Sequence, residues 1–312
     1  MKQIDFPELN ALSFDALPRG WVFYALSGKQ GYLYAGYTSR LASHLQYLKQ
    51  RDDSQEMISQ ARQLEYLEAK DGFTALVHFK CFLASQAPAY QYQISLSKEY
   101  VYLALDARRY PFVSIQEHTN DDWQYLGPFR SRFFLGDVID TLSRILKLPF
   151  CETGSFPCDK FDRQICRGWC LALAPAEASR QVQDLDKLET LLKEAYLHPN
   201  NGIVEMIQRE RDKYFNDLEF ARADLLDDEI QLLSRYREWL NFLYTAKALN
   251  FEHEELTITA GQLARVRTEK REFHFPVDNP EYRENEYLAY PLNMVDEARI
   301  IYDHLREKTD AY

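Results

Sequence analysis

Several things that would assign a function quickly are missing from this chain. No apolar run approaches the roughly eighteen residues needed to cross a bilayer, so a membrane protein is not expected. The opening Met1-Lys2-Gln3-Ile4-Asp5 lacks the apolar core of a secretory signal, and the expectation is a cytoplasmic protein. Glycine-rich phosphate loops are absent. Ser27-Gly28-Lys29 has no upstream glycine of the nucleotide-binding kind and reads as a hairpin turn. The seven histidines, at 44, 78, 118, 198, 253, 274 and 304, include no His-x3-His pair that would hold zinc from one helix. An excess of positive charge is also missing. Residues 1–174 carry 19 Lys and Arg against 19 Asp and Glu, while residues 175–312 carry 18 against 29, which accounts for the net charge of −11. A strong non-specific DNA binder is usually basic, so contact with nucleic acid would need a local basic patch. The acidic half suits a protein partner better.

Cysteine is scarce too, but its placement is informative. Four of the five cysteines, Cys151, Cys158, Cys166 and Cys170, fall within twenty residues, and Cys81 stands apart in an apolar stretch. The segment 151–170 is too short and too rich in Gly, Pro and Asp to build a core of its own. Disulfides are disfavoured in a reducing compartment. Zinc usually takes close cysteine pairs, and only Cys166 and Cys170 fit that spacing. Iron–sulfur clusters take four thiolates at more irregular spacing. Spacing alone leaves the metal open, and four buried, unligated cysteines remain the plain alternative.

Local patterns organise the rest. Residues 1–19 read as a lead-in, with Pro7 and Pro18 discouraging a helix. Residues 21–26 and 32–37 read as the strands of a hairpin across a turn with two glycines. Thr38 or Ser39 is then placed to cap a helix whose apolar face is Leu41, Leu45 and Leu48. Residues 73–85 read as a buried helix, 100–105 and 111–116 as paired strands, and 134–148 as an apolar helix. Residues 178–197 and 210–249 have the helical period. Residues 255–260 and 272–276 are strand-like, and 295–308 form a final helix.

Tyr125-Leu126-Gly127-Pro128-Phe129-Arg130-Ser131, an apolar helix and then the cysteines follow one another in that order. The order resembles the N-terminal half of UvrC, the nuclease subunit of bacterial nucleotide excision repair. In that family a Tyr/Phe-Gly-Pro-Tyr/Phe segment and a helix precede a four-cysteine segment ending in Cys-x7-Cys-x3-Cys. Cys158, Cys166 and Cys170 match this spacing, whereas the first gap is shorter. The resemblance covers roughly residues 18–250 and is strongest over 125–170. It implies that the four cysteines hold a 4Fe–4S cluster, with zinc as the alternative.

The opening hairpin with Tyr34-Ala35-Gly36 resembles the GIY-YIG nuclease fold that UvrC also carries. Carried over by position, the family's second catalytic tyrosine is Tyr34 and the first falls on Phe23. Its arginine falls on His44, its metal-binding glutamate on Phe79, and its asparagine on Gln91. Phenylalanine cannot ligate Mg²⁺, which demands oxygen ligands. Phe23 cannot take or give a proton, and an unperturbed histidine is mostly neutral at pH 7. Whether the chain is an enzyme is left open by the sequence, leaning towards no. Leu218-Glu219-Phe220-Ala221-Arg222-Ala223-Asp224-Leu225-Leu226-Asp227-Asp228-Glu229-Ile230 is similar to the UVR motif, the helical hairpin by which UvrC docks on UvrB. It offers Leu218, Phe220, Leu226 and Ile230 as apolar docking positions, though an ordinary amphipathic helix pair has the same spacing.

The expectation is an α+β protein. A degenerate GIY-YIG-like domain of mixed sheet and helices (1–105) is followed by a strand–helix segment with the four-cysteine site (106–174). A helical region with the UVR-like hairpin (175–250) and a small α+β C-terminal appendix (251–312) complete it. The appendix is too short for the RNase H-like nuclease domain that continues UvrC, and no trio of carboxylates suggests one. Candidate DNA contacts are Arg40, Arg108, Arg109, Arg130, Arg132, Arg163 and Arg167. The tyrosines at 32, 34, 37, 90, 92, 100 and 102 are candidate base-stacking platforms, although strand packing predicts many of the same residues. Three functions fit. The first is a non-catalytic UvrC-like repair factor that binds DNA, a UvrB-type partner or both. The second is an active single-incision endonuclease with a rearranged site, and the third is a scaffold with a purely structural metal cluster.

Overall fold

A computed structural model describes residues 1–6, 17–94, 100–119, 122–148, 159–173, 184–198, 201–268, 271–278 and 288–309. It is a mixed α+β protein of two compact units. Unit 1 comprises Met1–Lys98, Ala246–Asn279 and Asn293–Tyr312, and unit 2 comprises Glu99–Thr245 and Pro280–Leu292. Among the described residues no helix is long and apolar enough to cross a membrane.

The chain opens with β1 (Lys2–Asp5), β2 (Arg19–Gly28), β3 (Gly31–Arg40), α1 (Leu41–Gln50), α2 (Gln55–Gln60), β4 (Gln63–Glu68) and α3 (Gly72–Ser85). Next come β5 (Val101–Leu105), β6 (Val113–Gln116), β7 (Gln124–Phe129), α4 (Arg132–Leu146) and α5 (Asp159–Asp162). The helical stretch holds α6 (Leu185–Leu192), α7 (Asn201–Asn216) and α8 (Phe220–Ala248). The chain ends with β8 (Phe251–His253), β9 (Leu256–Thr259), β10 (Gln262–Arg267), β11 (Glu272–His274), β12 (Leu288–Ala289) and α9 (Val295–Thr309).

In unit 1 an antiparallel sheet of order β1-β4-β2-β3 has both faces covered. One face, with Val22, Tyr24, Leu26, Tyr34 and Leu64, packs on Leu41, Leu45 and Leu48 of α1 and Met57 of α2. The other, with Phe23, Ala25 and Ala35, packs on Phe79, Phe82 and Leu83 of α3. The opposite side of α3, with Phe73, Leu76 and Val77, meets Ile258, Leu263, Val266 and Phe275 from a second antiparallel sheet, β11-β10-β9-β8, and Ile301 of α9. Contact on two sides explains why α3 is apolar around most of its circumference. Asp71 caps its N-terminus, accepting from the Thr74 N–H at 2.7 Å. Lys80 and Glu297 tie α3 to α9 at 2.7 Å with little exposure of either side chain.

Unit 2 holds the sheet β12-β7-β5-β6, in which only β12 pairs in parallel. Gly127, in the Gly-Pro segment that ends β7, has φ +132°, a conformation that disfavours any side chain. Its carbonyl accepts the Tyr290 N–H at 2.8 Å. Ser131 caps α4 by accepting from Phe134 N at 3.1 Å, and Leu135, Val138, Leu142 and Leu146 form the buried stripe of that helix.

Two local expectations need correction. Residues 1–19 are not only a lead-in, because Lys2–Asp5 pairs along β4, itself an unforeseen strand inserted between β1 and β2. Neither Thr38 nor Ser39 caps α1. Pairing of Val22 with Thr38 and of Arg19 with Arg40 keeps the strand extended, so α1 starts at Leu41 without a side-chain cap.

Candidate functional site

The hairpin β2–β3 turns at Lys29 and Gln30, pairing Gly28 with Gly31 and Ser27 with Tyr32. Beyond these pairs a one-residue bulge at Leu33 changes the register, so Tyr34 sits opposite Leu26 and Tyr37 opposite Phe23. A single inserted residue moves every later side chain to the other face. The positions carried over from the nuclease family are therefore divided by the sheet. Tyr34 and His44 lie on the α1 face, and Phe23 and Phe79 on the α3 face.

On the α1 face the Tyr24 hydroxyl is 2.7 Å from Nε2 of His44, and the Tyr24 and Tyr34 ring centroids are 6.3 Å apart. Burial lowers the His44 pKa from its ordinary value to about 4, so the imidazole is neutral near pH 7 and offers a phosphate no cation. Burial likewise pushes the Tyr34 phenol up to about 12, opposed by Arg51 and assisted by Asp53. A hydroxyl so hard to ionise is a poor general base at neutral pH. Gly36 has a packing role here, because a Cβ on it would lie 2.8 Å from the Tyr24 hydroxyl oxygen. Sequence reasoning passed over Tyr24. Its signal was an aromatic on the strand directly across from a glycine.

On the α3 face Phe23 packs on Phe82 at 5.1 Å between centroids and Tyr37 on Phe79 at 5.2 Å. Phe79 belongs at once to this cluster and to the core shared with β8–β11 and α9. Glu65 of β4 is a buried carboxylate on this side, opposite Ala25, and it accepts from Gln3 at 3.1 Å and from Tyr32 at 3.3 Å. It too went unnoticed in the sequence, though polar and apolar residues alternate over 63–66 as in a strand. Gln91 clasps the outer strand: its Oε1 accepts the Ala35 N–H at 3.0 Å and its Nε2 donates to the Ala35 carbonyl at 3.2 Å.

Among the four clustered cysteines, Cys151 and Cys158 lie outside the described residues. Cys166 and Cys170 are both buried, and both line one cavity of about 120 Å³ with Phe112, Ile139, Lys147 and Trp169. The Arg167 N–H donates to the Lys147 carbonyl at 3.1 Å, joining the cysteine segment to the end of α4. Two thiols on one mostly apolar cavity are a donor pair that fits a thiolate-bound metal or cluster. Among the described residues no group of three metal-ligating side chains converges.

The arginines are scattered. Arg40 ends β3, in unit 1, and is exposed. In unit 2, Arg108 is held by Asp186 at 2.6 Å and Glu189 at 2.5 Å. Arg109 lies over Trp123 and Arg130 over Tyr100. Arg132 is 3.7 Å from Glu117, and Arg163 and Arg167 are exposed beside the cysteines. Of the candidate stacking tyrosines, Tyr34, Tyr100 and Tyr102 are core residues, whereas Tyr92 is 94% exposed.

Helices α7 and α8 are joined by a three-residue turn, residues 217–219, in which Leu218 has φ +60°. Arg211 and Asp227 link them at 2.7 Å. Leu218 and Phe220 project at the tip, 73% and 49% exposed, with Phe220 against Phe215 at 5.3 Å. Leu226 is buried and Ile230 half-buried.

No family model matches the chain, and no solved structure matches it. Curated relatives do. UvrABC system protein C of Nitrosomonas europaea is 25% identical over 217 residues, covering 68% of this chain and 35% of the relative. The protein of the same name from Methanococcus maripaludis is 19% identical over 201 residues, 64% of this chain and 37% of the relative. That of Methanosphaera stadtmanae is 22% identical over 228 residues, 70% and 37%. The chain thus spans about a third of the length of the curated relatives it matches, and over about two thirds of its own length it is distantly related to UvrABC system protein C.

Proposed function

We propose that this chain is a non-catalytic UvrC-like DNA repair factor. It binds DNA, docks on a UvrB-type partner through the tip of the α7–α8 hairpin, and carries a 4Fe–4S cluster on Cys151, Cys158, Cys166 and Cys170. The cluster supplies a rigid iron–sulfide core whose charge and redox state answer to its surroundings. The cysteines would hold it, and Phe112, Ile139 and Trp169 give an apolar lining to the cavity that Cys166 and Cys170 share.

Phe79 is the observation that carries the non-catalytic role. Phosphodiester hydrolysis by a GIY-YIG site requires a metal-held carboxylate and charge to offset the phosphoryl oxygens. At the glutamate position a phenyl ring instead joins two apolar cores, and at the arginine position stands a neutral imidazole. The test is an incision assay on damaged, nicked and bubble DNA with Mg²⁺ or Mn²⁺, with and without a UvrB-type protein. Binding of DNA without cutting is the expected result. Metal-dependent cutting that disappears in Tyr34→Phe would overturn the proposal.

A further inference from the structure

One surface of unit 2 combines an unpacked aromatic ring with cations. Phe133, in the first turn of α4, is 87% exposed. Folding does not require it, because the buried stripe of α4 is complete without it. Arg132 precedes it, 55% exposed in its side chain and only loosely paired with Glu117 at 3.7 Å. Arg130, also exposed, lies over the Tyr100 ring at 5.8 Å. Arg235, from α8, lies over the ring of the adjoining Phe134 at 5.7 Å. One turn further along α8, the Trp239 indole N–H donates to the Pro128 carbonyl at 2.9 Å, which fixes α8 against this end of β7. Two of these guanidinium groups thus belong to residues within three positions of Phe133, and the third lies on the ring of its neighbour Phe134, in a chain whose net charge is −11.

We infer that this patch binds single-stranded nucleic acid, with Phe133 as the stacking platform for one unpaired base and Arg130, Arg132 and Arg235 on the neighbouring phosphates. It rests on the DNA-binding role proposed above and names the form of DNA recognised. Stacking is sequence-tolerant and needs a base free of its own stack, so Phe133 gains nothing from an intact duplex. The arginines attract either form through phosphate charge. Glu117 beside Arg132 and the acidic remainder of the chain weaken purely electrostatic binding, which leaves stacking to decide between the two forms. A protein partner would call for a wider apolar area than one ring among cations.

The full chain is titrated by fluorescence anisotropy against a labelled single strand of about sixteen nucleotides and against its duplex. The wild type is expected to prefer the single strand. Phe133→Ala should lose about tenfold on the single strand and nothing on the duplex, whereas Phe133→Tyr should retain the preference. Arg132→Gln should weaken both and flatten the logarithmic salt dependence on the single strand by about 0.7. Because Phe133 is exposed, circular dichroism should be unchanged in each variant. Equal single-strand affinity of Phe133→Ala and wild type would overturn the inference while leaving DNA binding intact. A wild type that binds neither form would remove the DNA-binding role itself. Loss of a protein partner in Phe133→Ala at constant DNA affinity would reassign the patch to protein docking.

Discussion

The Tyr24 hydroxyl and His44 Nε2, 2.7 Å apart, form a polar pair set between a sheet face and the apolar stripe of α1. In the tautomer with its proton on Nδ1, the neutral imidazole accepts from the phenol. Protonating His44 removes that acceptor and places a charge against buried rings.

The consequence is a loss of stability in acid. The folded-state pKa of His44 lies near 4, below its ordinary value of 6.5, so below pH 6.5 the unfolded chain takes up the proton first. The stabilisation is complete above pH 6.5 and is lost as pH falls towards 4. The full shift corresponds to about 3 kcal/mol, and the partial exposure of His44 reduces the expectation to about 2 kcal/mol. Urea titrations of the wild type and His44→Gln at pH 7 and pH 4.5 should show a smaller acid loss in the variant. Equal losses would remove His44 as the cause.

Phe79→Glu should not create a nuclease. A carboxylate there gains neither the arginine nor the first tyrosine of the family site, and it places a charge where an aromatic ring joins two cores. Incision should stay absent, and the fold should lose about 2 kcal/mol or more. Mg²⁺-dependent cutting by this single variant would show that the remaining groups suffice.

Anaerobically purified protein should contain about four iron and four sulfide per chain. Cys166→Ser should lose both and destabilise unit 2 around α4. One equivalent of zinc without iron would replace the cluster with a structural zinc site.

Phe220→Ala should weaken binding of a UvrB-type protein by about 2 kcal/mol, the loss of a buried aromatic anchor, without unfolding the free chain. Leu226→Ala is the control. Its side chain is 7% exposed, so it should cost about 2–3 kcal/mol of stability. Unchanged calorimetric affinity of Phe220→Ala would exclude docking at the hairpin tip.

Much of the local structure was legible because its causes are local. Short apolar runs on either side of two glycines define the β2–β3 hairpin, and longer apolar stretches define α3 and α4. The pairing of β1 with β4 was hidden because Lys2 and Tyr66 are far apart in sequence. The packing of the C-terminal sheet on α3 joins residues such as Leu76 and Leu263, and no pattern within either segment announces it. One feature of the candidate site was not legible. Counted from a two-residue turn, Tyr34 falls opposite Ala25 and shares a face with Phe23. The bulge at Leu33 places it opposite Leu26 instead, and nothing in the Gly-Tyr-Leu-Tyr string distinguishes a regular strand from a bulged one. For the cysteines the spacing left convergence and the metal open; among the described residues Cys166 and Cys170 line one cavity, and Cys151 and Cys158 lie outside them.

The seating of α3 between two sheets bears on how this gene can change length. Residues of β9–β11 and α9 supply one side of the packing around Leu76, Phe73 and Val77, and Glu297 answers the charge of Lys80. A stop codon near residue 250 would leave the N-terminal hairpin intact yet expose an apolar helix flank and a lysine without its counter-charge. A shortened allele should therefore yield insoluble protein, and its C-terminal stretch cannot be shed as an independent module.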